Sequence, residues 1–166
     1  MEYTHRCDSP LGGITLVSDG EALTGLWFDG QKHAPALPPG GREEKELPVF
    51  AQTERWLDAY FAGARPGFTP LLHLRASTFR VAVWEALLAI PYGRTTTYGA
   101  IADTVAARLG LPRMSARAVG GAVGRNPIAL IIPCHRVVGA DGSLTGYAGG
   151  IERKRSLLTL EQTGMK

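Results

Sequence analysis

The spacing of hydrophobic positions in this 166-residue chain changes partway along, from short strand-like runs to helical repeats. Ile14-Thr15-Leu16-Val17 and Leu23-Thr24-Gly25-Leu26-Trp27-Phe28 are rich in β-branched and aromatic residues, and Ser18-Asp19-Gly20 separates them as a turn. Residues 2–29 therefore read as short strands. Residues 30–47 carry Pro35, Pro38, Pro39, Gly40 and Gly41, then Glu43-Glu44-Lys45-Glu46, and read as a loop. Pro48 suits the first turn of a helix to about Phe61, where Val49, Thr53, Trp56, Leu57 and Tyr60 recur at helical spacing. This part is a small α+β unit without a catalytic constellation. Trp27, Trp56 and Tyr60 read as core, and Cys7 as a strand residue of no special chemistry.

Gly63, Pro66, Gly67 and Pro70 mark residues 62–76 as a linker, which divides the chain into 1–76 and 77–166. Beyond it the pattern is helical. Ser77 or Thr78 can cap a helix from Phe79 to about Ala89, stopped by Pro91-Tyr92-Gly93. Thr95-Thr96-Thr97 caps a second, with Ile101, Val105 and Leu109 inside and Gly110 at its end. Ser115 caps a third, from Ala116 to about Arg125. Two helices joined by the short Leu111-Pro112-Arg113 connector form a helix-turn-helix pattern, which in many proteins is only helix packing. The third helix contains Gly120, Gly121 and Gly124, each unfavourable by roughly 1 kcal/mol against alanine. Small residues let a helix enter a narrow groove such as the DNA minor groove, or pack closely on another helix. Asp141-Gly142 marks a turn and Gly146 to Gly150 a flexible loop. A last helix, Ile151 to Glu161, is expected to turn Ile151, Leu157, Leu158 and Leu160 inward and Arg153, Lys154 and Arg155 outward.

Composition narrows the class. Hydrophobic content of 45% with 20% charged residues is that of an ordinary globular protein, and no apolar run approaches the roughly 20 residues of a membrane span. The N-terminus lacks a signal-peptide pattern, so a cytoplasmic location is expected. Two cysteines, Cys7 and Cys134, exclude a disulfide framework and a four-thiolate zinc site. Residues 1–76 carry 7 Lys/Arg against 10 Asp/Glu, net −3, and residues 77–166 carry 11 against 5, net +6. A basic half beside an acidic one points to contact with a polyanion.

The candidate chemistry lies in Asn126-Pro127-Ile128-Ala129-Leu130-Ile131-Ile132-Pro133-Cys134-His135-Arg136-Val137-Val138-Gly139. An apolar run delivers Cys134 to a shielded place, His135 can take its proton, and a basic neighbourhood is expected to lower its pKa. A Cys-His pair alone is more often a buried structural cysteine beside an incidental histidine. Three further readings stand open on the residues. One is a cysteine hydrolase using Cys134, His135 and Asn126 as nucleophile, base and orienter. The others are a non-catalytic lesion-binding protein and a helix-turn-helix regulator. Cys134 argues against the former, and Ala118, Gly121 and Ala122, too small to read a major groove, argue against the latter.

Pro133-Cys134-His135-Arg136-Val137, preceded by Asn126-Pro127 and followed by Gly146-Tyr147-Ala148-Gly149-Gly150, resembles the active-site signature of the bacterial O6-alkylguanine-DNA alkyltransferases. Ile90-Pro91-Tyr92-Gly93 with Tyr98, Ala116 to Gly120, and the stretch to Glu161 match in the same order. The resemblance implies a small ribonuclease-H-like α/β unit followed by a mainly helical, winged-helix-like domain. It implies Cys134 as alkyl acceptor, His135 as base acting through a water, Glu161 as the residue orienting the imidazole, and Asn126 as the brace of the turn. Arg117 would fill the place of the extruded nucleotide, and Tyr98 would aid extrusion and protonate guanine N3. Tyr147 would flank the flipped base, and the backbone of Cys134, Val137 and Ala148 would contact its edge. The expected partner is double-stranded DNA, met in the minor groove and carrying O6-alkylguanine or O4-alkylthymine. The protein would act once per molecule, as a monomer that can bind DNA cooperatively, with no cofactor and no metal. It has no counterpart of the zinc ligands of some eukaryotic members.

Overall fold

The computed structural model describes residues 2–31 and 42–164. Strands β1 (Glu2–Ser9), β2 (Gly12–Ser18) and β3 (Leu23–Phe28) form an antiparallel meander. Ile14 to Ser18 and Gly25 to Phe28 are buried without alternation, so the sheet is covered on both faces there. Strand β4 (Arg42–Glu44) falls within the stretch expected to be a loop and pairs in parallel with β1, giving the order β3-β2-β1-β4. Its highly charged sequence has little strand preference, and the open edge of β1 imposes the conformation. The rest of that expected loop, 32–41, lies outside the described residues. Helix α1 (Pro48–Phe61) starts at its proline as expected and buries Val49, Phe50, Thr53, Trp56, Leu57 and Tyr60.

Helices α2 (Thr78–Leu88), α3 (Tyr98–Arg108) and α4 (Ala116–Gly124) follow. Ser77, Thr97 and Ser115 cap them, accepting backbone N–H bonds at 3.3, 3.1 and 3.1 Å. Gly110, at φ +68°, ends α3 in the conformation that glycine adopts most easily. Trp84 Nε1 donates to the Ala122 carbonyl at 2.9 Å and ties α2 to α4. A short pair, β5 (Thr96–Thr97) with β6 (Val137–Val138), and helix α5 (Ile151–Gly164) complete the fold.

The outer edge of β3 takes up two later segments, one from residues 62–76 and one from residues 77–166. Leu23 donates to Leu71 at 2.8 Å and accepts from His73 at 3.0 Å, while Leu26 donates to Pro127 and accepts from Ala129, both at 2.9 Å. Leu26, Phe28, Trp84, Val123, Ile128 and Val137 belong to one continuous core.

Helix α5 is set differently from expectation. Lys154 is 1% exposed, whereas Ile151 is 36% exposed. Lys154 Nζ donates to the carbonyls of Val137 at 2.5 Å and Thr145 at 2.9 Å, which offsets the loss of water around its charge. That demand sets the rotation of the helix.

Candidate active site

The run from Ile128 to Ile132 is coiled rather than extended. Leu130 lies at φ 69°, uncommon outside glycine, and Ile131 N–H donates to Ala129 O at 2.8 Å across it. This is a γ-turn of the rare left-handed kind. Pro133, at φ −82° and ψ 64°, centres an inverse γ-turn closed by Cys134 N–H to Ile132 O at 2.8 Å. Asn126 braces the coil from both sides: its Oδ1 accepts from Ile128 N–H at 3.0 Å and its Nδ2 donates to Ile132 O at 2.7 Å. The bridge to Leu26 and the burial of Leu130 help hold the unfavourable φ in place.

Cys134 opens a single 3₁₀ turn, Cys134–Arg136, and is buried. The expected lowering of its pKa is not what the structure produces. Burial pushes the thiol up; the Asn126 amide, the Lys154 charge and the backbone N–H groups of Cys134 and His135 only partly offset this. Cys134 therefore rests as a thiol and needs a base.

His135 is fully buried, and its Nε2 lies 2.5 Å from Glu161 Oε2. An ionised carboxylate only accepts, so Nε2 carries the hydrogen and Nδ1 is the basic nitrogen. Nδ1 has no partner among the described residues. Glu161 also takes Arg136 Nε at 2.8 Å and Gly93 N–H at 2.9 Å on Oε1, and Tyr60 OH at 2.7 Å and Arg136 Nη2 at 3.2 Å on Oε2. Although burial alone would raise its pKa, these donors, His135 foremost, bring it down to about 2. Burial lowers the His135 pKa in spite of Glu161, so the ring is neutral at rest.

Cys134 faces a pocket lined by Gln31, Val123, Gly124, Asn126, Ala129, Tyr147, Ala148 and Gly149, with room for only about 10 Å³ of solvent. The Tyr147 ring stands edge-on to His135 at 6.5 Å, and its hydroxyl is buried without a partner among the described residues. A methyl group on Gly149 would lie 2.5 Å from that ring, so glycine lets the loop fold over Tyr147. Outside the pocket, the exposed face of α4 presents Ala116, Arg117, Ala118, Gly121 and Arg125. Added methyls on Gly121 and Gly124 would meet nothing within 4 Å among the described residues, so packing among those residues does not require these glycines. Tyr98 opens α3 beside this face, half-buried, its hydroxyl donating to Thr145 O at 3.2 Å.

The 6-O-methylguanine DNA methyltransferase family matches the chain in two parts: its ribonuclease-like domain over residues 3–74 and its DNA-binding domain over residues 78–163. The methylated-DNA–protein-cysteine methyltransferase of Mycobacterium tuberculosis is 48% identical over 98% of this chain and 94% of its own. That of Haemophilus influenzae is 43% identical over 98% and 87%. The crystal structure of Mycobacterium tuberculosis OGT in complex with DNA superposes with a TM-score of 0.85 at 45% identity, covering 98% of this chain and 94% of that one. The chain belongs to the 6-O-methylguanine DNA methyltransferase family. The family's mixed N-terminal sheet and helical C-terminal part are the architecture found here. The O6-methylguanine-DNA methyltransferase of Pyrococcus kodakaraensis, 23% identical with a TM-score of 0.51, shares the fold.

Of the residues that the family signature singled out, Cys134, Asn126, Tyr147 and Ala148 meet at the pocket, and His135 and Glu161 form a pair beside it. Both backbone groups of Val137 are engaged: its N–H donates to Cys134 O and its carbonyl accepts from Lys154. Asn126 serves the turn and the Cys134 sulfur, and it is Glu161 that bonds His135, so Asn126 is not the orienter of a Cys-His-Asn triad. Tyr60, Arg136, Lys154 and Gln31 were not anticipated at the site. Tyr60 corrects the expectation that the first part of the chain carries no piece of the constellation: a core tyrosine at helical spacing gives no sign in sequence of where its hydroxyl ends.

Proposed function

We propose that the chain is a methylated-DNA–protein-cysteine methyltransferase that moves an alkyl group from O6 of guanine, and from O4 of thymine, onto its own Cys134. The observation that carries this is a buried thiol beside a His135–Glu161 pair, at the foot of a helix whose exposed face is made of small residues and Arg117.

In the reaction, the Cys134 proton passes through a water to His135 Nδ1, and Glu161 stabilises the imidazolium that forms. The thiolate attacks the alkyl carbon in line, a carbon–sulfur bond forms, and the bond to O6 breaks with its electron pair going to the base. Tyr98 supplies a proton to N3, so the base leaves neutral. Burial raises the Tyr98 pKa, so the phenol holds its hydrogen until the base needs it. The product thioether is not cleaved by ordinary nucleophiles, and each molecule acts once.

A base inside a duplex is out of reach and must be flipped out. Arg117 takes its place in the stack, and α4 lies in the minor groove with phosphates carrying most of the affinity. A pocket of about 10 Å³ does not hold guanine, so Tyr147 swings away on its loop, where Gly146 at φ +63° and Gly150 at φ +96° flank the moving part. The protein works as a monomer, cooperatively on DNA, in the cytoplasm, with residues 1–76 and 77–166 as its two domains. No helix among the described residues is long and apolar enough to cross a membrane.

The test is the intact mass after mixing with an oligonucleotide carrying O6-methylguanine. One methyl per protein on Cys134, abolished by Cys134→Ser, is expected. Continued turnover, or modification of Cys7, contradicts the reading. Burial and acidic neighbours push the Cys7 thiol up to about 11, so it is a poor competitor.

A further inference from the structure

The relay beside Cys134 contains a group from the other end of the fold. Tyr60, on the last turn of α1, is fully buried, and its hydroxyl donates to Glu161 Oε2 at 2.7 Å. The same oxygen takes His135 Nε2 at 2.5 Å, and the hydroxyl itself lies 3.3 Å from that nitrogen. The tyrosine ring is fixed by its stack on Trp56, centroids 5.2 Å apart and 7° from parallel, and by edge contacts with Phe61 and Tyr92.

Resting on the alkyl-transfer reading above, we infer that Tyr60 is a positioning residue through which the N-terminal unit sets the proton affinity of His135. Three donors share Oε2: His135, Tyr60 and Arg136 Nη2. Each draws on the same negative charge. The more of it Tyr60 holds, the less is left to stabilise the imidazolium, and the lower the pH at which His135 becomes a competent base. Burial and the neighbouring carboxylate keep Tyr60 protonated, so it donates throughout the working range.

The remaining charged or titratable groups around the pair come from every neighbouring element. Arg136 and Cys134 lie on the 3₁₀ turn, Lys154 and Glu161 on α5, Tyr147 on its loop, and Tyr92 before Gly93 with the Arg65 guanidinium over its ring. Tyr92 provides an internal comparison. It packs against Tyr60 at a centroid distance of 6.1 Å, but its buried hydroxyl has no partner among the described residues.

The experiment measures the rate of Cys134 benzylation by free O6-benzylguanine against pH, in full-length wild type, Tyr60→Phe and Tyr92→Phe, with melting curves alongside. ¹⁵N-histidine spectra follow the His135 ring directly. In Tyr60→Phe the acid limb of the profile and the His135 titration should both move up by about one pH unit, the size of one hydrogen bond to a charged group. In Tyr92→Phe both should stay in place. A Tyr60→Phe rate lowered equally at all pH values, with the limb unmoved, would mean that the phenol only supports the fold and overturns the inference. An equal shift in Tyr92→Phe would overturn it too. No benzylation of the wild type at any pH would instead remove the alkyl-transfer reading itself.

Discussion

The side-chain amide of Asn126 donates to the Ile132 carbonyl at 2.7 Å, two residues before the nucleophile. Because Asn126 also accepts from Ile128 at 3.0 Å, one side chain fixes both ends of a coil whose centre, Leu130, has an unfavourable φ. Asn126→Ala should leave Ile128 N–H unpaired and Ile132 O with only its γ-turn bond from Cys134, and lower stability by about 1–3 kcal/mol. A displaced sulfur should also react on the order of 100-fold more slowly, since near-attack geometry is sensitive to shifts of about 1 Å. Urea denaturation and benzylation kinetics check the two effects. A stable variant with an undiminished rate would show that the turn holds without its brace.

Gly121 separates a folding constraint from a binding one. An added methyl would meet nothing within 4 Å among the described residues, so Gly121→Ala should stabilise α4 by roughly 0.5–1 kcal/mol. The melting temperature should then rise by about 1–4 °C for a chain of this size. The same methyl would stand on the face assigned to DNA, so affinity for duplex should fall. A melting curve and a DNA titration are expected to move in opposite senses. Unchanged affinity would place DNA elsewhere on the protein.

These two cases show what was legible in the sequence. Local rules carried the helices: Pro48, Ser77, Thr97 and Ser115 begin them where expected, and Gly110 ends one. The proposed nucleophile and base were legible as candidates because Cys134 and His135 are adjacent. Glu161 lies 26 residues beyond His135 and was visible only through the family signature. Strand β4, the inward turn of Lys154 and the hydroxyl of Tyr60 are decided by partners distant in sequence, an open sheet edge, two inward-facing carbonyls and a buried carboxylate. Periodicity carries no record of such partners. The resting state of Cys134 was misjudged for a related reason, since neighbouring charges can be read from sequence more easily than desolvation.

Acid should weaken the protein through Glu161. Its folded pKa of about 2 lies below the usual 4.5, so the unfolded chain takes up a proton first. The stabilisation, about 3 kcal/mol, is present above roughly pH 4.5 and is lost as pH falls through 2. His135, whose pKa burial also lowers, adds to the loss below its ordinary 6.5. Glu161→Gln should be less stable than wild type at pH 7 and lose less between pH 5 and 3. Urea denaturation across that range measures it, and parallel slopes for the two proteins would rule Glu161 out as the source.

Arg117 and Tyr98 should differ in which substrate they serve. Arg117 is exposed at the start of α4 and is not among the described residues that line the Cys134 pocket. Arg117→Ala should slow repair of O6-methylguanine in duplex far more than reaction with free O6-benzylguanine, which needs no extrusion. Tyr98→Phe removes the proton donor and should slow both. Rapid-quench rates on the two substrates decide the matter, and equal losses for Arg117→Ala would remove it from extrusion.

Alkylation should leave the protein less stable than before it reacted. Cys134 is 5% exposed, and its pocket has room for about 10 Å³, at most one water. A methyl on sulfur must press on Val123, Asn126, Ala129 or Tyr147, and adding a carbon to a packed interior costs typically about 1–3 kcal/mol. The thioether also gives up whatever the Asn126 amide contributed to the sulfur. Each kcal/mol should lower the melting temperature by roughly 2–4 °C. The strain falls on Val123 and Gly124, at the end of the helix assigned to DNA, so the methylated protein should also bind duplex more weakly and leave the repaired site. A benzyl group should do less harm than its size suggests if it extends into the space opened by Tyr147. Melting curves and DNA titrations of unmodified, methylated and benzylated protein provide the test. A melting temperature that holds or rises on methylation would mean that the pocket relaxes around the new carbon, and that release from DNA has another cause.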